Sequence, residues 1–276
     1  MCSTCGCSGG GSVVTDLGSA REHGHDHPHD HDHPHDHDHD HGRPHEQRPE
    51  AAVTHQPSTR LVDLELEVLA KNDLLAARNR GWFEGRGILA LNLMSSPGAG
   101  KTSLLERTIR DLSSELALSV IEGDQETLLD AERIRATGCR VVQINTGSGC
   151  HLDADMLARG LRSLDPPAQS VVFIENVGNL VCPALFDLGE HSKVVIMSVT
   201  EGDDKPLKYP HMFRAADVLL LNKLDLLPYV NFDVERCIGY ARQINPDLEV
   251  LTVSATRGDE LERWYDWLRQ RVTAAV

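Results

Sequence analysis

Positive charge is scarce in this chain. Its 27 lysines and arginines stand against 42 aspartates and glutamates, for a formal net charge of -15. A nucleic-acid binder needs a basic face to neutralise phosphates, so that class is excluded. No run of about eighteen apolar residues occurs, which removes a membrane-spanning helix. The opening MCSTCGCSGG lacks the basic start and apolar stretch of a secretory signal, and the chain is expected in the reducing cytoplasm. There its seven cysteines serve as metal ligands more readily than as disulfide partners.

Large apolar side chains are nearly missing from residues 1–60, where twelve of the fifteen histidines fall between His23 and His55. Such a stretch cannot bury enough apolar surface to offset its chain entropy and is expected to be disordered. Residues 61–276 are ordinary globular material, enough for one substantial core.

In that part Leu61, Leu64, Val68, Leu69 and Leu75 recur at helical spacing, with Gly81 as the expected stop. Apolar runs then follow at Ile88–Met94, Leu118–Ile121, Val141–Ile144, Val171–Ile174, Val194–Val199, Val218–Leu221 and Val250–Val253. Helical patterns separate them at Thr102–Leu116, Glu126–Ala136, Ala154–Leu164 and Phe232–Ile244, and a last one spans Asp259–Val272. This alternation predicts an α/β fold, a mostly parallel sheet flanked by helices, and the phosphate-loop motif at Ser95–Thr102 makes it a P-loop NTPase fold. Right-handed crossovers place the loops after the strands along one edge, where ligands of open α/β sheets bind.

Ser95-Ser96-Pro97-Gly98-Ala99-Gly100-Lys101-Thr102 lies directly after a predicted strand and before a predicted helix. Small residues there let successive backbone N–H groups point at phosphate oxygens. Gly98, Ala99, Gly100, Lys101, Thr102 and Ser103 are the candidate phosphate-binding residues. Lys101 reaches for the β- and γ-phosphates and the Thr102 hydroxyl for Mg2+. Ser95 stands where the strict motif has its first glycine.

Asn222-Lys223-Leu224-Asp225 follows the strand Val218–Leu221 and selects the base. The Asp225 carboxylate accepts two hydrogen bonds from guanine, a donor pair adenine lacks. Asn222 bonds the other edge of the base, the Lys223 stem lies along its face, and Ser254-Ala255 supplies a backbone donor to the guanine carbonyl. GTP is therefore the expected ligand. Asp124 and Glu175 remain for Mg2+ and the attacking water, and either can orient that water. Gly178 offers its N–H to the γ-phosphate, a hydrogen bond that hydrolysis removes.

Three sets of residues carry transition-metal chemistry. Cys150 and His151 follow the third strand, and Cys182 follows the Glu175–Gly178 segment; thiolates and imidazole suit zinc, nickel or copper. A fourth ligand is water, or a second subunit shares the ion across a two-fold axis. Cys139 and Cys237 sit at edges of apolar elements and read as packing residues. Cys2, Cys5 and Cys7 can wrap one ion on a flexible chain, in the square plane typical of Ni(II) or Cu(II). Finally His23, His25, His27, His29, His31, His33, His35, His37, His39 and His41 alternate mainly with aspartate. Imidazoles this dense buffer several divalent ions, a capacity lost below roughly pH 6.5 as they protonate.

With those residues in hand the chain resembles the HypB family, nickel-incorporation GTPases of [NiFe]-hydrogenase maturation within the SIMIBI-class metallochaperone GTPases. The resemblance rests on Ser96–Thr102, Cys150-His151, Glu175-Asn176-Val177-Gly178-Asn179-Leu180-Val181-Cys182-Pro183, Asn222–Asp225 and the Cys2–Cys7 start with its histidine tract. Ser95 is usual in that family. The resemblance implies a slow GTPase that uses GTP and Mg2+, carries Ni2+ or Zn2+ and dimerises on the nucleotide. It also implies nickel delivery to a hydrogenase large-subunit precursor, in partnership with the small nickel chaperone HypA. The rival readings are a sister GTPase that matures urease or another metalloenzyme, and a metal store with a vestigial nucleotide domain. The urease type lacks the adjacent cysteine–histidine pair.

Overall fold

Runs that are apolar on both faces are stable as strands only where helices cover both sides, and that requirement shapes the chain. The computed structural model describes residues 13–16, 59–124, 128–147 and 149–275. Its strands are β1 (Val13–Asp16), β2 (Leu89–Ser95), β3 (Leu118–Asp124), β4 (Arg140–Asn145), β5 (Val171–Glu175), β6 (Ser192–Ser198), β7 (Val218–Asn222) and β8 (Glu249–Thr252). They form one sheet in the order β1-β4-β3-β5-β2-β6-β7-β8. Every adjacent pair is parallel except β1 with β4.

The helices are α1 (Thr59–Glu84), α2 (Lys101–Leu112), α3 (Leu129–Arg135), α4 (Ala154–Leu164), α5 (Cys182–Leu185), α6 (Lys205–Lys208), α7 (Pro210–Ala215), α8 (Val234–Ile244) and α9 (Leu261–Ala275), with a 3-10 turn at Leu224–Tyr229. On one face α2, α3 and α9 pack Leu105, Ile109, Ile134, Trp264 and Leu268 onto Leu91, Val120 and Phe173. Fully burying a side chain of this size contributes about 1.5–3 kcal/mol. The alternate strand residues face the other way. There Phe83 of α1 and Leu157 and Leu161 of α4 cover Ala90 and Ile121, while Met212, Phe213 and Cys237 cover Val195 and Leu219. The thiols of Cys139 and Cys237 are each pushed up to about 12 by burial, as suits packing residues.

Three sequence expectations are corrected here. Residues 1–60 are not uniformly outside the fold, since Val13–Asp16 pair antiparallel with Val142–Asn145. Val13 and Val14 add a short strand beyond β4, and Val14, paired with Ile144, packs against the core on that side. Gly81 does not stop α1, which runs to Glu84; the chain turns at Gly85–Gly87 instead. The short helices α5, α6 and α7 had no counterpart in the periodicity. Among the described residues no helix is long and apolar enough to cross a membrane.

Helix α1 is fastened by polar hooks. Asn72 donates to the Asp187 carbonyl at 2.7 Å and accepts from Ala154 N at 2.9 Å. Asn79 donates to the carbonyls of Ala154 and Leu188, and Arg80 grips both Asp187 oxygens at 2.8 Å. The loops after β2, β3, β5, β7 and β8 thereby share one edge, with β2 at the switch point between β5 and β6.

Candidate functional site

The Ser95–Thr102 segment turns from β2 into α2 through two glycines with positive φ, Gly98 at 76° and Gly100 at 97°. Gly100 precedes the helix without any side-chain cap. The first N–H groups of α2 therefore lack an acceptor from the capping position and make an anion-binding helix start. No other residue fits at position 100, because a Cβ there would lie 2.6 Å from Asn222 Nδ2. The loop borders a cavity of about 510 Å³ whose other walls are Glu122–Asp124, Asp130, Arg133, Glu175–Gly178 and Lys223. Lys101 Nζ stands 3.7 Å from Glu175 Oε1, which also accepts from Thr102 Oγ1 at 2.8 Å.

Burial pushes the Glu175 carboxyl up, while Lys101 and the Thr102 hydroxyl oppose the shift. Beside it stands a residue that the sequence motifs do not mark. Glu122 is paired with Glu175 in the β3–β5 register, is 3 % exposed, and is pushed up to about 8 by burial and then by the charges of Glu175 and Asp124. A signal for it exists: residues two apart in a strand project to one side, so Glu122 shares the direction of Asp124. Arg133 is likewise unmarked. It donates to Ser103 Oγ at 3.2 Å and to Glu106 at 2.6 Å, but nothing local in its sequence announces that reach.

At the other end of the loop, Asn222 is buried and spans two elements. Its Nδ2 donates to the Ala99 carbonyl at 3.1 Å and its Oδ1 accepts from Ala255 N at 3.1 Å. Asn222 thus ties the phosphate loop to the end of β8. Lys223, at φ 63°, crosses the loop to donate to the Gly98 carbonyl at 2.6 Å. Asp225 is held by the Ser254 hydroxyl at 2.6 Å. In the loop after β8, Ser254 N donates to the Asp259 carbonyl and Ala255 N to Asn222 Oδ1.

The sulfur-bearing residues do converge. Cys150 Sγ lies 3.1 Å from Cys182 Sγ and 3.6 Å from His151 Nδ1. All three ligand atoms fall within 4.8 Å of one another, a spacing that a single soft ion can bridge. Cys182 is buried, whereas Cys150 and His151 are half-buried. The His151 ring packs on Phe186 with centroids 4.0 Å apart, and burial lowers its pKa, with Asp153 opposing. A neutral imidazole is the form that ligates.

Residues 89–252 match the nucleotide-binding domain family described as CobW/HypB/UreG. The hydrogenase maturation factor HypB of Escherichia coli K12 is 56 % identical over 220 residues, covering 79 % of this chain and 76 % of that protein. The chain belongs to the HypB family. Two crystal structures of HypB proteins superpose with a TM-score of 0.69 each over 74 % of this chain. One is from Archaeoglobus fulgidus, 41 % identical and wholly covered. The other is from Helicobacter pylori in complex with nickel, 37 % identical and 96 % covered.

In this HypB-family chain the nucleotide cavity and the sulfur cluster are joined by one buried side chain. Asn176 Oδ1 accepts from Leu152 N at 3.1 Å and from Val177 N at 3.0 Å, and its Nδ2 donates to Asn92 Oδ1 at 3.2 Å. Asn92 passes the chain on to Glu190 at 3.0 Å. Leu152, next to His151, also covers Gly123, where any Cβ would meet its side chain at 2.7 Å. Asn179 adds a bond to the Cys150 carbonyl. Gly178 abuts Pro97 of the phosphate loop, where an added Cβ would lie 3.2 Å from the proline ring. The family's extension residues Cys2, Cys5, Cys7 and His23–His41 lie outside the described residues.

Proposed function

We propose that this chain is a GTP-hydrolysing nickel metallochaperone of hydrogenase maturation. One observation carries the reading: the segment Glu175–Cys182 contains a cavity wall at Gly178 and a sulfur ligand at Cys182, and Asn176 within it holds the Leu152 amide beside His151. A ligand shifts a two-state equilibrium only through its differential affinity. Nickel affinity and nucleotide state are linked here because both act on the same few residues.

Lys101 and the first N–H groups of α2 grip the phosphates, Gly178 reports the γ-phosphate, and Asp225 reads guanine. Thr102 and Glu175 would hold Mg2+, which would supply positive charge against the phosphates. The donor set fits such a hard cation, being all oxygen with a buried carboxylate oxygen of Glu175 lacking a protein partner. Asp124 lines the same cavity and takes the role of orienting the attacking water in this reading.

The chain acts in the cytoplasm as a GTP-linked homodimer with the cluster at its interface, receives nickel with the help of HypA, and passes it to the [NiFe]-hydrogenase large-subunit precursor. Zn2+ competes for the same three donors. The histidine tract stores nickel. Titration of nickel and zinc into the GDP-bound protein and into the protein bound to a non-hydrolysable GTP analogue tests the reading. Affinities that differ between the two states are expected. Identical affinities would reduce the protein to a GTPase and a metal binder side by side.

A further inference from the structure

Glu122 and Glu175 form a buried pair of acids with a single ammonium, Lys101, beside them. They are neighbours across β3 and β5, each is 3 % exposed, and both line the cavity that borders the phosphate loop. Each has its Oε2 buried without any hydrogen-bond partner. Lys101 is the ammonium at hand, and it pairs with Glu175 Oε1. A buried carboxylate oxygen left without a partner is costly, and a leucine at position 122 would avoid that cost. A polyanionic nucleotide makes the arrangement worse rather than better, since it adds like charge. A cation, with the water it carries, satisfies both orphan oxygens and the phosphates together.

The geometry points to Glu122 as a second carboxylate of the nucleotide-linked divalent-cation site, acting beside Glu175 through the cation's bound water. Magnesium keeps several of its waters when it binds protein, so a carboxylate that holds those waters belongs to the site as much as a direct ligand does. The inference rests on the nucleotide site proposed above.

The test uses the full chain and Mn2+, whose electron paramagnetic resonance signal reports the cation directly. The GDP-dependent part of Mn2+ binding separates this site from the histidine tract. In Glu122→Gln that affinity is expected to fall about 10- to 100-fold, the usual consequence of losing such an outer partner. GDP affinity in EDTA should hold or tighten, because one negative charge has left the cavity. Unchanged Mn2+ affinity overturns the inference, and so does an equal loss of GDP affinity in EDTA. Should Glu122→Gln melt below assay temperature, Glu122→Asp keeps the charge at shorter reach; it should still weaken Mn2+, and wild-type affinity in it overturns the inference. A wild-type protein that binds no guanine nucleotide at all defeats the functional reading instead, a separate and recognisable result.

Discussion

Replacing Asn176 by alanine should uncouple metal from nucleotide without touching a ligand of either. Asn176 is fully buried and its side chain serves three partners, Leu152 N, Val177 N and Asn92 Oδ1. Alanine leaves two buried amide N–H groups unsatisfied, at about 1–2 kcal/mol each. Asn92 retains its bond to Glu190, so its loss is smaller. The sum, about 2–4 kcal/mol, predicts a Tm lowered by about 5–15 °C for a domain of this size. Coupling energies between linked sites are commonly about 1–3 kcal/mol, a 5- to 150-fold ratio of affinities. In Asn176→Ala the ratio of nickel affinities measured with GDP and with a GTP analogue should collapse toward unity, while Cys150, His151 and Cys182 still bind the ion. Isothermal titration calorimetry in both nucleotide states reads the ratio, and differential scanning calorimetry reads the Tm. A variant that keeps the wild-type ratio would refute the idea that Asn176 transmits the nucleotide state.

Other outcomes follow from single interactions. Asp225→Asn should move preference from GTP toward xanthosine triphosphate, by reversing one hydrogen-bond partner; competition binding checks it. Lys101→Ala should lower GTP turnover on the order of 100-fold, as for loss of one charge-stabilising donor, measured by phosphate release at saturating magnesium. Glu122 gives a pH dependence. Its folded value, about 8, lies above its ordinary 4.5, so the stability it contributes is complete below 4.5 and is lost as pH rises through about 8. Unfolding free energy of the metal-free protein in EDTA should decline between those limits, and Glu122→Gln should flatten the decline.

The long elements were legible because their periodicity is repeated many times over. Ala154–Leu164 is the helix expected at those bounds, and Asp153, whose carboxylate accepts from Met156 N at 2.7 Å, caps it as its residue type suggests. The phosphate loop and the Cys150, His151 and Cys182 trio were legible because backbone geometry and ligand chemistry restrict which residues can serve. Helices α5, α6 and α7 were not, since four to six residues hold no full period and form only under tertiary packing. Strand β1 was hidden by the composition around it, where two valines carried little weight against a polar stretch. The relay from Asn176 through Asn92 to Glu190 spans strands far apart in sequence, and an asparagine inside the buried run Leu89–Ser95 gave only the hint that some partner must exist. Asn222 and Ala255, read from the motif as residues that face the base, also bond each other, which the motif does not say. A motif names its residues, but not how each spends its donors.

The three residues of the sulfur cluster differ in depth. Cys182 is enclosed while Cys150 and His151 are half-buried. Under the proposed function, an ion held by this trio would be reached past the outer pair once the two subunits part, and the enclosed thiolate would be its last donor. A newcomer could then bind before the first owner lets go, and the ion would never be free in solution.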